Sequence, residues 1–182
     1  DDGLIDEVIS RLMSGKEADI FIVNTCSFIQ PATEESIDTI LQMGQYKERA
    51  SQLGTQKKLI VTGCMVQRFG TSLEEELPEV DFFLGTGEYH RIDDILQQPL
   101  EAQIRSYVDT PMYIHDEMAK RLPSWKTHSA YLKISEGCNH KCTFCIIPTL
   151  RGKLRSRTMK SLTEEAKNLA NLGVRELNLV SQ

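Results

Sequence analysis

The stretches Ile20-Phe-Ile-Val-Asn-Thr-Cys26 and Leu59-Ile-Val-Thr-Gly-Cys64 decide the fold of the first half of the chain. Each opens with a short apolar run rich in β-forming residues, which is typical of a buried strand. A third such run covers 80–84 and stops at Gly85-Thr-Gly87. Because segments with helical periodicity lie between the runs, we predict βαβ crossovers and a parallel sheet. The sequence therefore predicts an α/β fold with an amino-terminal domain of the Rossmann or flavodoxin type.

Four helices are predicted around these strands, over 4–13, from Pro31 to Gly54, around Leu73 and Leu77, and over 89–96. Proline suits the first turn of a helix, and glycine suits the position after its last turn. In the second of these helices, the spacing of the apolar residues places Ile37, Ile40 and Leu41 on the inner face.

The pattern loosens from Pro99, where prolines recur and only 104–108 resembles a strand. A new unit opens with the alternating strand Ala130-Tyr-Leu-Lys-Ile-Ser135. Ser161-Leu-Thr-Glu164 has the form of a capping box, and Gly173 ends the helix that it starts. The buried face of that helix is predicted to carry Ala166, Leu169, Ala170 and Leu172. A further strand is predicted over 174–180.

These patterns predict three regions: an amino-terminal domain over 1–98, a linker over 99–129, and the start of a second domain over 130–182. A single βαβ unit would leave its sheet edge and its helix face exposed. We therefore expect the chain to be a fragment of a longer protein.

The composition is ordinary for a soluble globular protein, with 40% apolar and 26% charged residues among 182. No apolar run approaches the roughly 18 residues of a membrane span, and no signal-peptide pattern opens the chain. We expect a cytoplasmic protein without a membrane partner. The net charge of −5 is unevenly divided, because 131–182 hold nine Lys/Arg and four Asp/Glu. Two modules with different partners, or acidic helices with solvated faces, would both give this division.

The cysteines indicate metal binding rather than disulfides. Their number is odd, and three of the five crowd into Cys138-Asn-His-Lys-Cys142-Thr-Phe-Cys145. Three thiolates at this spacing can hold three corners of a 4Fe-4S cube and leave the fourth iron open to a small molecule. S-adenosylmethionine on that iron could be split by one electron to give a radical. The loop also follows the carboxyl end of a strand, where barrel enzymes carry their sites.

The alternative is a structural zinc knot with His140 or a distant cysteine as the fourth ligand. Zinc sites usually combine two paired C-x2-C knuckles, and this sequence has no second pair. The spacing therefore favours the cluster. On that hypothesis His140 is a bystander in the loop, and Phe144 shields the cluster from water.

The run Glu136-Gly-Cys-Asn-His-Lys-Cys-Thr-Phe-Cys-Ile-Ile-Pro148, continuing to Arg151-Gly152, resembles the signature of the radical S-adenosylmethionine methylthiotransferases. Asn24-Thr-Cys26 and Thr62-Gly-Cys64 resemble the cysteine motifs of that family's amino-terminal domain. The resemblance covers nearly the whole chain. It implies a transferase of sulfur-containing groups that needs a reducing electron donor. It also implies that the second domain opens with the first βαβ unit of a radical S-adenosylmethionine partial TIM barrel.

Cys26 and Cys64 each follow a buried strand and precede a helix, so a parallel sheet places both on one rim. They could be metal ligands, or two cysteines acting as small hydrophobes. The resemblance implies that they help to hold a second, auxiliary 4Fe-4S cluster. Its third cysteine is then expected before Asp1, and the family's later S-adenosylmethionine-binding strands and TRAM domain are expected beyond Gln182.

The substrate is suggested by the resemblance alone, because the family contains a transfer RNA branch and a ribosomal-protein branch. The stretches 84–89, 130–138 and 147–152 look more like the ribosomal-protein branch. That branch adds a methylthio group to the β-carbon of an aspartate in the twelfth small-subunit ribosomal protein. The acidic first half also suits a basic protein partner. Adenosine in tRNA is the alternative substrate, and a non-catalytic zinc or redox-sensing module is the alternative of another class.

A basic stretch without acidic residues follows the cysteine loop. It could meet phosphates or the carboxylate end of S-adenosylmethionine, or it could be a solvated loop. Its members are Arg151, Lys153, Arg155, Arg157 and Lys160.

Overall fold

A computed structural model gives the structure of the chain and describes residues 18–100, 104–117, 119 and 128–181. The helix predicted over 4–13 lies outside the described residues. The chain forms two compact units, one of Asp1–Gly85 with Arg91–Val108 and one of Thr86–His90 with Asp109–Gln182. The region boundaries predicted at 98 and 129 stay a prediction.

The first unit is built on a four-stranded, wholly parallel sheet, as the sequence predicts. Its strand order is β1 (Ile20–Thr25), β2 (Lys58–Gly63), β3 (Phe82–Leu84) and β4 (Ser106–Tyr107). The helices are α1 (Gln30–Gln52), α2 (Cys64–Phe69), α3 (Leu73–Glu76) and α4 (Ile92–Leu96), with a 3-10 turn at Gly70–Ser72. A second 3-10 turn covers Tyr89–Arg91, of which only Arg91 belongs to this unit. The predicted α/β fold is confirmed.

The core lies on both faces of β2. Leu59 and Val61 pack with Ile40 of α1 on one face, and Ile60 packs with Ile95 of α4 on the other. Each of these side chains is at most 1% exposed. Full burial of such a side chain contributes about 1.5–3 kcal/mol, so the central strand anchors the unit.

The edge strand β1 is less buried than its sequence suggests. Phe21 and Val23 belong to the core that contains Ile40, but Ile22 between them is 50% exposed. Side chains alternate between the faces of a strand, and on the second face Ile20 is partly buried against the cluster that contains Ile60 and Ile95. The strand predicted here is therefore buried on one face and only partly covered on the other.

The helix predicted from Pro31 to Gly54 is confirmed, since α1 has Pro31 in its first turn and Gly54 follows its end with φ +81°. Ile40 is fully buried on its inner face, but Leu41 is 43% exposed. The face continues from Ile40 to the buried Gly44, one turn later, and Leu41 lies beside it. Leu41 was wrongly assigned to the inner face.

The segment around Leu73 and Leu77 is not one helix. It consists of α2, a 3-10 turn and α3, and Leu77 follows the end of α3. Gly70, at the end of α2, has φ +58°. A positive φ interrupts the helical path, so the single predicted helix becomes two short ones.

The second unit holds a three-stranded sheet in the order β6 (Arg155–Ser156), β5 (Ser129–Glu136) and β7 (Glu176–Ser181). Strand β5 is parallel to β7 and antiparallel to β6. Its helices are α5 (Ile147–Arg151) and α6 (Met159–Asn171). The predicted strand–helix–strand unit of β5, α6 and β7 is confirmed. Strand β6 and helix α5 were not predicted, because two and five residues are too few to show a period.

Helix α6 starts earlier than the sequence predicts. Thr158 is its N-cap, and Thr158 Oγ1 accepts a hydrogen bond from the Ser161 N–H at 3.1 Å. The hydroxyl of Ser161 is occupied, because it accepts from the Arg157 guanidinium at 2.8 Å. The capping box predicted at Ser161 is therefore wrong. On the inner face Leu169 is buried, whereas Leu172 at the end of the helix is 64% exposed.

Among the described residues, no helix combines the length and the apolar character that crossing a membrane requires.

Candidate metal centres

Cys26 and Cys64 follow the last paired positions of adjacent strands in the first unit. The register between β1 and β2 ends with Thr25 opposite Gly63, and each cysteine is the first residue after the end of its strand. Neighbouring strands lie about 4.8 Å apart, so the two residues share one rim of the sheet. Cys26 is exposed, and Cys64 is 8% exposed.

Two side chains hold the loop that contains Cys26. The Cys26 N–H donates to Ser36 Oγ of α1 at 3.2 Å. Arg68 of α2 donates from Nη1 to the carbonyl oxygen of Ser27 at 2.7 Å. Helix α2 begins at Cys64. The helix that carries one cysteine therefore also binds the loop of the other.

Threonine hydroxyls connect the strand ends at the same rim. Thr25 Oγ1 donates to the Thr62 carbonyl at 2.6 Å, and Thr62 Oγ1 donates to the Leu84 carbonyl at 3.0 Å. Gly63 lies between these bonds with φ +106° and ψ −161°, a region that is essentially restricted to glycine. A Cβ atom there would lie 2.3 Å from the Thr25 carbonyl oxygen. Only glycine permits this close approach of the strands.

The three remaining cysteines lie in the loop after β5 in the second unit. The Cys138 N–H donates to the Gly152 carbonyl at 3.1 Å, and the Cys145 N–H donates to the Cys142 carbonyl at 3.1 Å. Gly137, with φ +81°, lets the loop pass under a neighbouring backbone, since a Cβ would lie 2.4 Å from the Lys153 carbonyl oxygen. Cys142 is exposed, whereas Cys138 and Cys145 are partly buried.

A buried carboxylate holds the base of this loop. Glu136, the last residue of β5, is 8% exposed. Its carboxylate accepts from Arg151 Nη1 at 3.0 Å and forms an ion pair with Lys133. Arg151 is the last residue of α5, just before the Gly152 carbonyl that receives the Cys138 N–H. The ion pair thus joins the strand before the loop to the helix after it.

The donor set fits an iron–sulfur cluster. No disulfide joins the five cysteines, all of which lie in the described part of the chain. The described residues hold no group of three or more His, Cys, Asp or Glu placed to bind one metal ion. A 4Fe-4S cube does not require its ligands to converge on one metal ion, because each thiolate binds a different iron. The His140 N–H also donates to Cys138 Sγ at 3.4 Å, a kind of bond that tunes cluster potentials. The five ligand assignments stay predictions.

His140 and Phe144 are both on the surface of the loop, and Phe144 is 90% exposed. His140 contacts a cysteine through its backbone N–H. A role for the Phe144 ring in shielding a cluster stays a prediction.

The basic stretch after the loop is mostly engaged inside the second unit. Arg155 donates to the carbonyl oxygens of Lys153 at 2.8 Å and Arg151 at 3.1 Å. Arg157, whose side chain is 1% exposed, forms an ion pair with Glu165 of α6. Arg151 binds Glu136 as described above. These three arginines are thus not part of a fully solvated loop, whereas Lys153 and Lys160 are exposed. Binding of phosphates or of the carboxylate end of S-adenosylmethionine by this stretch stays a prediction.

His115 lies against this buried arginine. Its Nε2 is 3.1 Å from Arg157 Nη1, so the ring accepts and the guanidinium donates when the imidazole is neutral. Burial, followed by the charge of Arg157, lowers the pKa of His115 below its usual 6.5. Lys133 acts in the same direction, while Glu165 and Glu136 oppose it.

This lowered pKa predicts that the second unit loses stability in acid. An imidazole with a depressed pKa binds fewer protons when folded than when unfolded, so its contribution is complete above pH 6.5 and falls as the pH drops below that value. We expect the urea midpoint of the second unit to decline from about pH 8 to about pH 5.5. In His115→Gln, whose amide oxygen can still accept from Arg157, the decline should be shallower. An unchanged slope in that variant would contradict this assignment.

Two family models match the amino-acid sequence of the chain, and the matched stretches contain all five cysteines. Residues 3–85 match the uncharacterized protein family UPF0004, and residues 132–182 match the Radical SAM superfamily. The chain is 50% identical over 171 residues to the ribosomal protein uS12 methylthiotransferase RimO of Myxococcus xanthus, which covers 94% of this chain and 35% of that protein. It is 49% identical to the protein of the same name from Geobacter sulfurreducens, covering 92% of this chain and 37% of that protein. The chain belongs to the radical S-adenosylmethionine methylthiotransferase family.

Membership in this family confirms the resemblance found in the cysteine motifs. A further relative, the ribosomal protein uS12 methylthiotransferase RimO of Syntrophus aciditrophicus, is 47% identical over 98% of this chain and 40% of its own length. The chain thus spans little more than a third of the length of these relatives. For a radical S-adenosylmethionine methylthiotransferase, iron–sulfur chemistry and S-adenosylmethionine are implied by the family.

Sequence reasoning missed the groups that position the cysteines. Ser36 and Arg68 carry no local signal, because their partners lie 10 and 41 residues away in the chain. Glu136 and Arg151 lie near the two ends of the quoted family motif. Their opposite charges could have predicted the ion pair that they form.

Proposed function

We propose that the protein containing this chain adds a methylthio group to the β-carbon of an aspartate in the ribosomal protein uS12. The relatives at 47–51% identity carry the name ribosomal protein uS12 methylthiotransferase. The observation that supports the proposal most directly is the loop of Cys138, Cys142 and Cys145, which follows the carboxyl end of β5. Three thiolates there leave one iron of a cube without a protein ligand.

The residues around the loop hold these thiols in place. Gly137 allows the loop to lie against the backbone at Gly152 and Lys153, so Cys138 can donate its N–H to the Gly152 carbonyl. The Glu136–Arg151 ion pair keeps α5 beside the end of β5. When bound, a 4Fe-4S cluster with S-adenosylmethionine supplies the one-electron cleavage that starts radical chemistry. A reducing donor of the electron is a further expected partner.

Cys26 and Cys64 are proposed ligands of a second 4Fe-4S cluster, which delivers the sulfur atom. Their shared rim in the first unit supports this role, and a third cysteine from the rest of the protein would complete the set. On this proposal residues 1–98 form the amino-terminal methylthiotransferase domain and residues 130–182 begin the radical S-adenosylmethionine domain, with 99–129 between them. A second molecule of S-adenosylmethionine supplies the methyl group.

The substrate test uses the full-length enzyme, anaerobically reconstituted with iron and sulfide and supplied with a reductant and S-adenosylmethionine. Unmodified uS12 and unmodified tRNA are offered in separate reactions, and the products are weighed by mass spectrometry. We expect the mass of a methylthio group on one aspartate of uS12 and no change in the tRNA. Modified tRNA beside unmodified uS12 would overturn the proposed substrate. A colourless protein that holds stoichiometric zinc would instead favour the non-catalytic module.

A further inference from the structure

The β1–β2 ladder ends one residue before Cys26 and Cys64, so the sheet itself does not fix the distance between the thiols. Cys26 lies in the loop between β1 and α1, and its own side chain is exposed. A loop of this kind samples several conformations unless other groups restrain it. A pair of ligands in a cluster must instead stay within a narrow range of geometries.

Ser36 restrains the backbone of Cys26 from one side. This side chain is 8% exposed in the second turn of α1. Its hydroxyl oxygen lies 2.7 Å from the Ala32 carbonyl and 3.2 Å from both the N and the O of Cys26. A hydroxyl has one proton and can also accept. Donation to Ala32 and acceptance from the Cys26 N–H therefore satisfy it and fix the loop to the helix.

Arg68 restrains the same loop from α2, the helix that carries Cys64. It stands four residues after Cys64 in α2, which places the two on one face of the helix. Its Nη1 donates to the Ser27 carbonyl at 2.7 Å, a charge-assisted bond to the residue next to Cys26. The guanidinium also lies over the Phe69 ring at 5.3 Å. A rotation of α2 that moved Cys64 would thus move the anchor of Cys26 with it.

From these contacts we propose that Ser36 and Arg68 are positioning residues that hold Cys26 and Cys64 at the mutual distance which a shared iron–sulfur cluster requires. The inference rests on the proposed function, because it gives the pair an auxiliary cluster to hold. Ser36 acts on Cys26 alone, and Arg68 connects both cysteines through one helix.

The first test measures how firmly the auxiliary cluster is held. The full-length protein carries Cys138→Ala, Cys142→Ala and Cys145→Ala, so that iron remains only at the other site, and is reconstituted anaerobically. Iron release to a coloured chelator is timed in Ser36→Ala and Arg68→Met. We expect release at least about tenfold faster in each, the range typical for loss of groups that orient metal ligands. Arg68→Lys, which retains one donor, should recover part of the loss.

Matched controls are a threonine and an arginine of α1 that make contacts of the same kinds. Thr39 of α1 donates its hydroxyl to the Glu35 carbonyl at 2.8 Å and does not bind the cysteine loop. Arg49 lies over the Tyr46 ring at 6.0 Å at the end of α1. Thr39→Ala and Arg49→Met should release iron at the parent rate. Thermal unfolding of the cluster-free proteins is measured in all four variants, and iron release is timed below the lowest unfolding transition, so that global unfolding does not set the rates. Equal release rates in all four variants would overturn the inference.

A second readout separates this inference from the proposed function. In the cluster-free protein, a trivalent arsenical that bridges two close thiols should join Cys26 and Cys64, as mapped by mass spectrometry. Ser36→Ala and Arg68→Met should reduce the bridged fraction, and the controls should not. If the parent protein binds no iron but bridging still depends on Ser36 and Arg68, the positioning role would be supported and the proposed auxiliary cluster would be contradicted. Bridging that is absent in the parent, or unchanged in the variants, would overturn the positioning itself.

Discussion

Replacing Cys142 with alanine in the full-length enzyme is expected to abolish S-adenosylmethionine cleavage. Cys142 is the middle one of the three loop thiols, and two thiolates cannot hold a cube at three corners. Because removal of groups that merely orient metal ligands costs about 10–100-fold, loss of a ligand should cost at least about 100-fold. Cleavage is measured as the 5′-deoxyadenosine that the enzyme releases in the presence of a chemical reductant. Cluster content is measured as the absorbance of the reconstituted protein at about 400 nm.

The fold should survive this substitution, since Cys142 is exposed. Thr143→Ala is the matched control, because Thr143 is the exposed neighbour in the same loop and offers no thiolate. It should retain both cluster and cleavage. Cleavage at the parent rate in Cys142→Ala would remove the assigned role of this loop.

Replacing Gly63 with alanine is expected to destabilise the first unit by about 3 kcal/mol or more, close to the upper end of single substitutions. Part of this loss comes from the backbone conformation at position 63, which costs a residue other than glycine about 1–3 kcal/mol. The remainder comes from the new Cβ, which would lie 2.3 Å from the Thr25 carbonyl oxygen and 2.8 Å from the Thr25 nitrogen. These are backbone atoms of β1, so relief requires the two strand ends to separate. Urea unfolding of the cluster-free protein measures the loss.

Gly54→Ala provides the control for the backbone term alone. Gly54 also has a positive φ, +81°, but a Cβ there would meet nothing within 4 Å. We expect a loss of about 1–2 kcal/mol from left-handed strain without a clash. Gly63→Ala should also lower iron binding at Cys26 and Cys64, which Gly54→Ala should leave intact. Equal losses of stability in the two variants would show that the strands do not approach each other as closely as described.

The sequence allowed the rim of cysteines to be predicted because its signals are local. The apolar runs before Cys26 and Cys64 are those of buried strands, and two parallel strands place their ends together whatever the intervening chain does. The register with Thr25 opposite Gly63 bears this out. The C-x3-C-x2-C spacing is likewise contained in eight residues. Such features need no knowledge of distant contacts.

The errors arose where a tertiary partner outweighed a local pattern. Ser161 has the sequence of a helix cap, but the buried Arg157 takes its hydroxyl and Thr158 caps the helix instead. Leu41 is apolar and was therefore predicted on the inner face, but Ile40 and Gly44 define the buried face of α1. The basic stretch had the composition of a solvated loop, yet its three arginines bind carbonyl oxygens and carboxylates of their own unit. Hydrogen bonds between residues far apart in sequence leave no periodic trace.

The open position of the Cys142 thiol bears on how the protein matures. Its neighbours in the loop are tied by backbone bonds and by the Glu136–Arg151 pair, none of which involves a metal. Iron and sulfide that arrive from solvent would therefore meet this thiol before the two partly buried ones. The same accessibility leaves the bare thiol open to oxidants during that interval. Installation of the cofactor is therefore best carried out promptly and away from oxygen.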